Sequence, residues 1–462
     1  MDILTQIFDD YIHCAIEIFL SNQKQDFGER MLSLRELTNE MVLKLIIAIL
    51  THLDEFIAQW IKADKNWHIE RRDSRSLETV FGTLCFQRLY LNDEVSGKRA
   101  HLLDELVGIT PGQRVGNDVR QAALENVVEQ SYEKSAAASC PQGISRMSVH
   151  NILRELDPVP ALHANGPVRS IPNLYVEADE DHVALQNGKN VQIKLVYIHE
   201  GREEKGGKMA LKNARYLTWP LEGDIDTLWE RVADYVVAQY DVDRLERIFL
   251  SGDGASWIHK GEEWLPKCVP ILDAYHMNKA LTSLTASIPQ TRLRAKILLH
   301  AGNKEGFRCL LTEILNTPMT ASKLQQKTKL AEYLYRNWQR IQNRKLDDAL
   351  GCSAEGHVSH ILSARLSSRP LGWGENNLMT IAQLRVMQAN KETISYAKNK
   401  RSALTPAVSH LQSMAPEVHE HIRAAVSNKF TITSFSLPVL IAGKITSLYQ
   451  ALHALTSPSL AS

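Results

Sequence analysis

The sequence predicts an α/β protein that also contains all-α regions. Downstream of residue 172, short runs rich in Val, Ile, Leu and Tyr alternate with longer segments of helical periodicity. This alternation is typical of strands and helices that share one mixed β-sheet. Over residues 1–63 and again over residues 276–348, apolar residues recur at three- and four-residue spacing, which predicts helices.

The composition is that of a globular protein, and it excludes several classes of protein. The 462 residues include 53 basic and 53 acidic side chains, so a uniformly basic, histone-like protein is excluded. The six cysteines form no C-x-x-C pair, so neither a zinc ribbon nor a disulfide framework is expected. The first ten residues contain the acids Asp2, Asp9 and Asp10, and the most apolar stretch, residues 43–50, contains Lys44. We therefore expect a cytoplasmic protein without a signal peptide and without a membrane partner.

The first 157 residues are expected to be mainly helical, with one hairpin. The helices of residues 1–63 are amphipathic, which is typical of packing or dimer surfaces. Residues 77–91 alternate between apolar and polar side chains, are rich in Thr, Val, Phe and Tyr, and contain Gly82 in the middle of the run. This pattern predicts a short β-hairpin.

A helix-turn-helix is predicted around Gly143. A helix of small residues over 135–139 meets a Pro141-Gln142-Gly143 break, and a second helix follows over residues 145–153. Polar groups at the start of a second helix in this arrangement often face DNA. The candidates are Ser145, Arg146, Ser148, His150 and Asn151. An ordinary helical hairpin is the alternative interpretation.

A linker with four prolines over residues 158–172 marks the clearest domain boundary. The pattern after the linker predicts strands over residues 174–178, 191–198 and 214–219, a helix over 225–240, a strand over 247–250, a helix over 257–264 and a strand over 268–272. Three strands joined by short turns, followed by helix, strand, helix and strand, form the order of an RNase H-like mixed sheet.

A basic helical segment lies within the helices of residues 276–348. Residues 323–345 contain seven basic side chains and one acid, Glu332, with aromatic residues between them. This mixture suits contact with a phosphate backbone. The candidate DNA contacts are Lys323, Lys327, Arg336, Arg340 and Arg344. A solvated helix face is the alternative.

Two acids at predicted strand ends form the most specific signal. Asp179 follows the first strand, and Asp253 follows the fourth strand within Ser251-Gly252-Asp253-Gly254. Acids at the carboxyl ends of neighbouring strands point into one crevice. Their carboxylates repel each other unless a cation lies between them, and hard oxygen ligands select Mg²⁺ or Mn²⁺. Two such ions support phosphodiester chemistry.

A site with two metal ions requires a third carboxylate, and Glu355 is the preferred candidate. Ser353 is placed to cap a helix that has Glu355 in its first turn. Glu332 is a weaker candidate because it lies within the basic segment. Asp273 and His276 end the fifth strand, where His276 could orient a metal ligand or hold a phosphate, and Asp273 could replace Asp253.

Three segments carry a resemblance to a known family. They are Tyr175-Val176-Glu177-Ala178-Asp179-Glu180-Asp181-His182-Val183, Ser251-Gly252-Asp253-Gly254-Ala255-Ser256-Trp257-Ile258 and Leu272-Asp273-Ala274-Tyr275-His276. These segments resemble the ISLre-two group of bacterial insertion-sequence transposases, which is similar to the Mutator-like transposases. The resemblance covers most of the chain.

The resemblance implies a DDE transposase with an RNase H-like catalytic domain that a helical insertion interrupts. Residue by residue, the implied triad is Asp179, Asp253 and Glu355, and Asp273-x-x-His276 matches the C/D-x-x-H element of the Mutator-like relatives. The segment that begins at Ser353 is similar to the S-x-E…R…W stretch of the family. Its later members, Arg365, Arg369 and Trp373, are further candidate DNA contacts.

The expected activity is metal-dependent DNA cleavage and strand transfer at the ends of an insertion sequence. The expected cofactor is Mg²⁺ or Mn²⁺, two ions per active site, and no nucleotide cofactor is expected because no Walker-type glycine loop is present. The partners would be double-stranded DNA, as terminal inverted repeats and as target, and further copies of the chain, at least as a dimer. The location would be the bacterial cytoplasm, with association to the nucleoid on DNA. The alternatives are a non-catalytic DNA-binding regulator or domesticated transposase relative, and a structure-specific nuclease.

These expectations divide the chain into seven segments: a helical dimerisation or packing region (1–63), a DNA-binding region with hairpin and helix-turn-helix (64–157), a linker (158–172), the first part of the catalytic core (173–278), a helical insertion (279–350), the last helix region of the core (351–400) and a C-terminal region of unknown role (401–462).

Overall fold

The structure is a computed structural model, and it describes residues 3–20, 25–63, 66–156, 162–164, 166–286, 289–369, 372–396 and 406–414. The C-terminal region 401–462 therefore lies outside the described residues except for 406–414, and so does part of the linker. Within the described ranges the chain is a mixed α/β protein, as the sequence predicts. None of the described helices is long and apolar enough to cross a membrane.

The elements before the linker are mainly helical. They are α1 (Ile3–Leu20), α2 (Phe27–Ala63), β1 (Trp67–Thr79), β2 (Gly82–Asp93), β3 (Arg99–Ala100), α3 (Leu102–Val107), α4 (Asn117–Val127), α5 (Tyr132–Ala138) and α6 (Arg146–Arg154). The predicted hairpin and the helix–turn–helix order of α5 and α6 are both confirmed.

The elements after the linker begin with strands and end with helices. They are β4 (Asn173–Ala184), β5 (Asn190–His199), β6 (Arg202–Lys205), β7 (Lys208–Leu211), β8 (Arg215–Thr218), α7 (Ile225–Gln239), β9 (Arg247–Gly252), α8 (Ser256–Trp264), β10 (Cys268–Leu272), α9 (Ala274–Leu284), α10 (Pro289–His300), α11 (Lys304–Leu315), α12 (Ala321–Arg336), α13 (Trp338–Asn343), α14 (Ala354–Val358), a π turn (Ser359–Ser363), α15 (Ala364–Leu366), α16 (Glu375–Ala389) and α17 (Pro406–Ser413).

The described residues form two compact units. The first unit comprises Met1–Ala122, Ser139–Gly143 and Ala397–Ser462. Its core is built around the β1–β2 hairpin, where Leu91, Leu102 and Ile57 are fully buried. The hairpin strands extend beyond the alternating run in the sequence because charged residues on β1 find partners. Arg75, for example, donates to Asp104 at 3.0 Å.

The second unit comprises Ala123–Ala138 and Ile144–Tyr396 and contains a five-stranded sheet. The strand order is β10-β9-β4-β5-β8; β5 is antiparallel to both β4 and β8, whereas β9 is parallel to β4 and β10. All five strands and the two helices α7 and α8 are those that the sequence predicts. Leu174, Val176 and Ala178 pack on one face of the sheet with α7 and α8.

The second unit contains a hairpin that the sequence did not predict and a helical segment that it predicted without the individual helices. A small antiparallel hairpin, β6–β7, turns at Gly206 and Gly207, which both have positive φ. A Gly-Gly pair is a hairpin signal, but the flanking residues are too polar to read as strands. Helices α9–α13 form the helical segment after β10, and they have a core of their own around Phe307, Leu310 and Leu334.

Candidate active site at the carboxyl edge of the sheet

Three aspartates lie at the same level of three neighbouring strands. In the parallel ladder of β4 and β9, Glu177 pairs with Ser251, so two further residues along each strand bring Asp179 level with Asp253. In the ladder of β9 and β10, Gly252 pairs with Leu272, and the next residues are Asp253 and Asp273. Neighbouring strands are about 4.8 Å apart, so the three acids lie side by side. Asp253 and Asp273 directly follow their strands, whereas Asp179 lies within β4 and pairs with Leu195 on β5. This corrects the expectation that the first strand ends before Asp179, because the alternating residues after it extend β4 to Ala184.

Local turn geometry holds Asp253 at the carboxyl end of β9. Its Oδ1 accepts a hydrogen bond of 2.8 Å from the amide of Ala255, and Gly254 has a φ of 88°. A Cβ on Gly252 would lie 2.8 Å from the carbonyl oxygen of Ala178, so only glycine permits this approach of β9 to β4. The hydroxyl of Tyr333 on α12 donates to the backbone carbonyl of Asp253 at 2.5 Å.

The acids influence one another electrostatically. The pKa of Asp179 is raised to about 6, mainly by burial and also by the charge of Asp253, against a lowering effect from the hydrogen bond of the Glu180 amide. A hydrogen bond to Asp273, at 3.1 Å from Nδ1, is the main cause that raises the pKa of His276. Burial alone would raise the pKa of Asp273, but its bonds to His276 lower it overall. Asp179, Asp253, Asp273 and His276 are therefore brought together, as the sequence analysis expects.

The aspartate pair has the donor chemistry of a magnesium or manganese site. Asp179 and Asp253 are half-buried carboxylates, and the charge of Asp253 disfavours the ionised form of Asp179 unless a cation lies close by. Among the described residues, however, no group of three or more His, Cys, Asp or Glu side chains is arranged to hold a metal ion. The pair fits such an ion in charge and ligand type, and a third ligand is not assembled around it.

Glu355 lies in the first turn of α14, where its side chain is exposed. No hydrogen bond or ion pair of its carboxylate occurs within the described part of the chain. The structure therefore does not bring Glu355 into contact with Asp179 and Asp253. Its helix nevertheless lies against β4, because two acids of that strand bind the residues on either side of it.

The first of these acids is Glu177, which the sequence analysis did not single out. Its side chain is only 2% exposed, and it accepts hydrogen bonds from the amide and the hydroxyl of Ser353 at 2.5 and 3.2 Å. Tyr197 donates at 2.5 Å and the Nε2 of His199 at 3.0 Å. Burial alone would raise the pKa of Glu177, but the bonds from His199, Tyr197 and Ser353 lower it to about 2. No local signal distinguishes this acid from its neighbours on an alternating strand.

The second acid is Asp181, two residues beyond Asp179. Its Oδ1 accepts from the hydroxyl of Ser363 at 2.9 Å and from that of Ser367 at 2.8 Å. Side chains alternate along a strand, so Glu177, Asp179 and Asp181 lie on one face of β4. Residues 353–367 therefore bind β4 on the same face as Asp179, through the acids on either side of it.

Comparison with known proteins shows the family to which the chain belongs. The pattern of the uncharacterised protein family UPF0236 matches residues 21–401. The chain belongs to the UPF0236 family. A UPF0236 protein of Caldanaerobacter subterraneus subsp. tengcongensis is 34% identical over 449 residues, which cover 96% of each chain.

Two further UPF0236 proteins illustrate the spread of the family. One, from the same organism, has a name that joins eleven locus labels; it is 33% identical over 459 residues, or 98% of this chain and 97% of its own. The other, from Streptococcus gallolyticus, is named for the vanSb 3′ region. It is 25% identical over 360 residues, which cover 72% of this chain and 77% of its own.

In this UPF0236 chain, the candidate DNA contacts of the helix-turn-helix lie at the start of α6. Arg146 and Asn151 are exposed. The amide of Ser148 is capped by the hydroxyl of Ser145 at 3.0 Å, so these two serines begin the helix. His150 is half-buried and packs edge-on against Tyr132 on α5, with ring centroids 6.3 Å apart.

The predicted basic segment is divided between α12 and α13, and not all of its cations face solvent. Lys323 and Arg336 are exposed, although Arg336 forms an ion pair with Glu332 at 3.3 Å. Lys327 is only 7% exposed, which removes it from a solvent-facing basic surface. Arg340 binds Glu262 at 2.5 Å, and Arg344 donates to the sulfur of Met277. Packing against neighbouring elements therefore uses three of the five predicted cations.

Two of the last three DNA candidates are core residues, which corrects the expectation from the sequence. Arg365 is 8% exposed; it donates to the carbonyl of Val127 at 3.2 Å and lies over the ring of Trp373 at 4.9 Å. Trp373 is 6% exposed, and its Nε1 donates to the carbonyl of Leu366. Both side chains hold the helices together, because a buried guanidinium needs carbonyl and aromatic partners. Arg369 is exposed and stays a candidate.

A polar cavity of about 860 Å³ opens beside the start of α14. Its lining includes Ser353 and His357 together with several charged side chains, which are Arg169, Arg202, Glu203, Lys205, Arg215 and Lys391. Glu200 pairs with Arg169 at 2.6 Å, and Glu392 pairs with Arg215 at 3.5 Å. The remaining positive charge of the lining suits a polyanion near the segment that carries Glu355.

Proposed function

We propose that this UPF0236 protein is a DNA transposase that cleaves and joins DNA at the ends of its own insertion sequence. The observation that carries the proposal is the placement of Asp179 and Asp253 on neighbouring parallel strands at the same level. Two carboxylates in such an arrangement suit phosphodiester chemistry with hard divalent cations. The resemblance of the segments around Asp179, Asp253 and Asp273 to the ISLre-two transposases points to the same activity.

We further infer that the five-stranded sheet belongs to the RNase H-like architecture. If the five strands are numbered along the chain as β4, β5, β8, β9 and β10, their order across the sheet is 3-2-1-4-5. The second strand, β5, is antiparallel to both of its neighbours. The helical segment α9–α13 between the last strand and α14 corresponds to the insertion that the resemblance implies. The sheet order supports this inference independently of any single acid.

The names of the relatives support a mobile element. The name of one UPF0236 protein joins eleven locus labels of a single organism. Many copies of one coding sequence in a genome are expected when the encoded protein moves its own gene. A housekeeping enzyme would not be expected at so many loci.

The reaction would have two steps that use one site. A water molecule attacks a phosphodiester at the element end, which breaks one P–O bond and leaves a 3′-hydroxyl. That hydroxyl then attacks a phosphodiester of the target DNA, so one P–O bond forms as another breaks. Because bonds are exchanged in the second step, neither a nucleotide cofactor nor a covalent enzyme–DNA intermediate is needed.

We assign the residues to metal binding, to the orientation of His276 and to contact with DNA. Asp179, Asp253 and Glu355 would hold Mg²⁺ or Mn²⁺, which, when bound, activates the attacking oxygen and stabilises the leaving one. Asp273 would keep His276 oriented towards the acids through their 3.1 Å contact. Arg146 and Asn151 would face the terminal repeats, and further copies of the chain would bring two element ends together.

A cleavage assay tests the proposal. The purified protein is incubated with Mg²⁺ and a labelled duplex that contains the boundary of its own element, beside Glu355→Ala. Glu305→Ala is the matched control, because Glu305 is also an exposed acid in the first turn of a helix. We expect nicking at the boundary that is lost in Glu355→Ala and retained in the control.

Other outcomes would select other functions. Nicking that survives in Glu355→Ala would keep a metal-dependent nuclease but assign the third acid elsewhere. Joining of the cleaved end to a target plasmid distinguishes a transposase from a structure-specific nuclease. Binding without nicking would favour a non-catalytic regulator, a function that the lack of an assembled three-ligand group among the described residues also favours.

A further inference from the structure

The segment that carries Glu355 is attached to β4 at both ends. Ser353, just before α14, binds Glu177 through its amide and its hydroxyl. Ser363 and Ser367, which follow Glu355, bind Asp181 through their hydroxyls. Between the two attachments, α14 continues into a π turn over Ser359–Ser363. The bound acids are the residues on either side of Asp179 on the same strand face.

The π turn determines which hydroxyls reach the strand. A π turn adds one residue to a helical turn, so it changes the face on which the following side chains lie, and such turns are frequent at functional sites. Ser363 ends the turn and Ser367 lies about one turn later. Both reach the same oxygen, Oδ1, of Asp181. The other oxygen, Oδ2, is buried without a hydrogen-bond partner in the described part of the chain, so the two serine hydroxyls supply the side-chain hydrogen bonds to this carboxylate.

The attachment at Glu177 is supported from behind by β5. Tyr197 and His199 both bind its carboxylate, and His199 is fully buried. The carboxylate is therefore held in one orientation before it accepts the bonds from Ser353. Oriented acceptors of this kind are the usual means by which neighbouring residues fix the ligands of a metal site.

We propose that Glu177 and Asp181 are positioning residues that hold residues 353–367 on β4, so that Glu355 joins Asp179 when a metal ion is bound. The inference depends on the proposed function only for the role of Glu355 as the third ligand. Neither Glu177 nor Asp181 would touch the reacting DNA. Their effect would be transmitted through Ser353, Ser363 and Ser367.

The experiment uses the full chain and a pair of matched double variants. Ser363→Ala/Ser367→Ala removes both hydroxyls that bind Asp181. Ser359→Ala/Ser368→Ala removes two hydroxyls from exposed positions, one within this segment and one directly after it, and neither hydroxyl forms a hydrogen bond to β4. Asp181→Asn keeps an oxygen acceptor for the serines and is the conservative variant, whereas Asp181→Ala removes it.

Two readouts that do not require DNA cleavage are measured. The first is amide hydrogen exchange over residues 353–367, which we expect to be about tenfold faster in Ser363→Ala/Ser367→Ala and in Asp181→Ala. The second is Mn²⁺ affinity from electron paramagnetic resonance titration, which we expect to fall about tenfold in the same variants. The control double variant and Asp181→Asn should remain within about twofold of wild type in both measurements.

Each result decides the proposal. Unchanged exchange in the serine double variant would overturn the attachment of the segment. Faster exchange with unchanged Mn²⁺ affinity would mean that the contacts only stabilise the helix, which also overturns the proposal. If the wild-type protein binds Mn²⁺ but never nicks DNA, the transposase assignment fails, while the exchange and affinity measurements still test the positioning role.

Discussion

The carboxylate of Glu177 accepts a hydrogen bond of 2.5 Å from the backbone amide of Ser353, which lies after the whole helical segment α9–α13. This contact joins the first strand after the linker to the start of the helix that carries Glu355. The chain that forms α9–α13 leaves the sheet after β10 and returns to it at Glu177. The two parts of the candidate site are therefore connected through a buried acid.

This buried acid predicts a measurable dependence of stability on pH. The pKa of Glu177 is lowered to about 2, below its usual value of 4.5. Its contribution is thus fully present above about pH 4.5 and is lost as the pH falls towards 2. A shift of this size corresponds to roughly 3 kcal/mol in the free energy of unfolding.

Urea unfolding of wild type and Glu177→Gln between pH 2.5 and 6 checks this expectation. The variant should lose less stability than wild type over this interval. Glu203→Gln is the control, because Glu203 is an exposed glutamate on β6. Parallel curves for wild type and Glu177→Gln would show that the carboxylate carries no linked stability.

Asp179 predicts a change of stability with pH that is opposite in sign to that of Glu177. Burial, with a further contribution from the charge of Asp253, raises the pKa of Asp179 to about 6. The folded state therefore favours the protonated acid, and stability is lost as the pH rises from about 4 through 6. At pH 7.5 we expect Asp179→Asn to unfold at a higher temperature than wild type, by a few degrees.

The same variant should separate stability from metal binding. Added Mn²⁺ is expected to raise the melting temperature of the wild-type protein and to leave that of Asp179→Asn unchanged, since a ligand stabilises only the state that binds it. Differential scanning calorimetry with and without Mn²⁺ measures both effects. An equal rise in the two proteins would place the ion elsewhere.

The buried pair Arg365 and Trp373 predicts a loss of stability rather than a loss of DNA contact. Trp373→Ala is expected to cost about 3–5 kcal/mol, because it leaves a cavity and removes the ring beneath the guanidinium of Arg365. The DNA affinity of the folded protein should stay within about twofold of wild type. Arg369→Ala, at an exposed position, should show the converse: unchanged stability and weaker DNA binding.

Thermal unfolding and fluorescence anisotropy with a labelled duplex distinguish these two effects. A stable Trp373→Ala protein with weakened DNA binding would return Trp373 to the DNA-binding surface. A destabilised Arg369→Ala protein would mean that this side chain has a packing role.

The start of α6 predicts sequence-specific DNA binding. Arg146→Ala and Asn151→Ala should weaken the affinity for the terminal repeat by about 1–3 kcal/mol each and reduce discrimination against unrelated DNA. Arg154→Ala, in the last turn of the same helix, is the matched control. Anisotropy titrations with repeat and scrambled duplexes at fixed salt give both quantities; unchanged specificity in the two variants would favour an ordinary helical hairpin.

The sequence predicted the five strands of the sheet, and Asp253 and Asp273 directly after two of them, because both depend on local patterns. It placed the end of β4 too early, since Asp179 lies within a strand that continues to Ala184. Asp253 follows a short apolar run and is flanked by Gly252 and Gly254, which mark the end of the strand in the sequence itself. Parallel neighbours then bring Asp179 and Asp253 to the same level without further information. The helices after β10 could likewise be predicted from the three- and four-residue spacing of their apolar residues.

The contacts between distant segments were not accessible in this way. Glu177 belongs to an alternating strand, and its partners Tyr197, His199 and Ser353 become neighbours only when the sheet and α14 assemble. Lys327 was assigned to a DNA-binding surface because positive charge on a helix does not reveal which face its neighbours cover. Arg365 was assigned from the resemblance of the segment after Ser353, and a motif match does not reveal that the guanidinium is buried against Val127 and Trp373.

Cleavage by aspartate variants tests most directly whether Asp179 and Asp253 form the site of DNA cleavage. Asp179→Ala and Asp253→Ala are assayed for Mg²⁺-dependent nicking of the element-end duplex, beside Asp243→Ala, which replaces an exposed aspartate outside the site. DNA binding is measured on the same samples. We expect both site variants to lose nicking while they bind the duplex as wild type does, and the control to retain both. Full cleavage by Asp179→Ala and Asp253→Ala would contradict it.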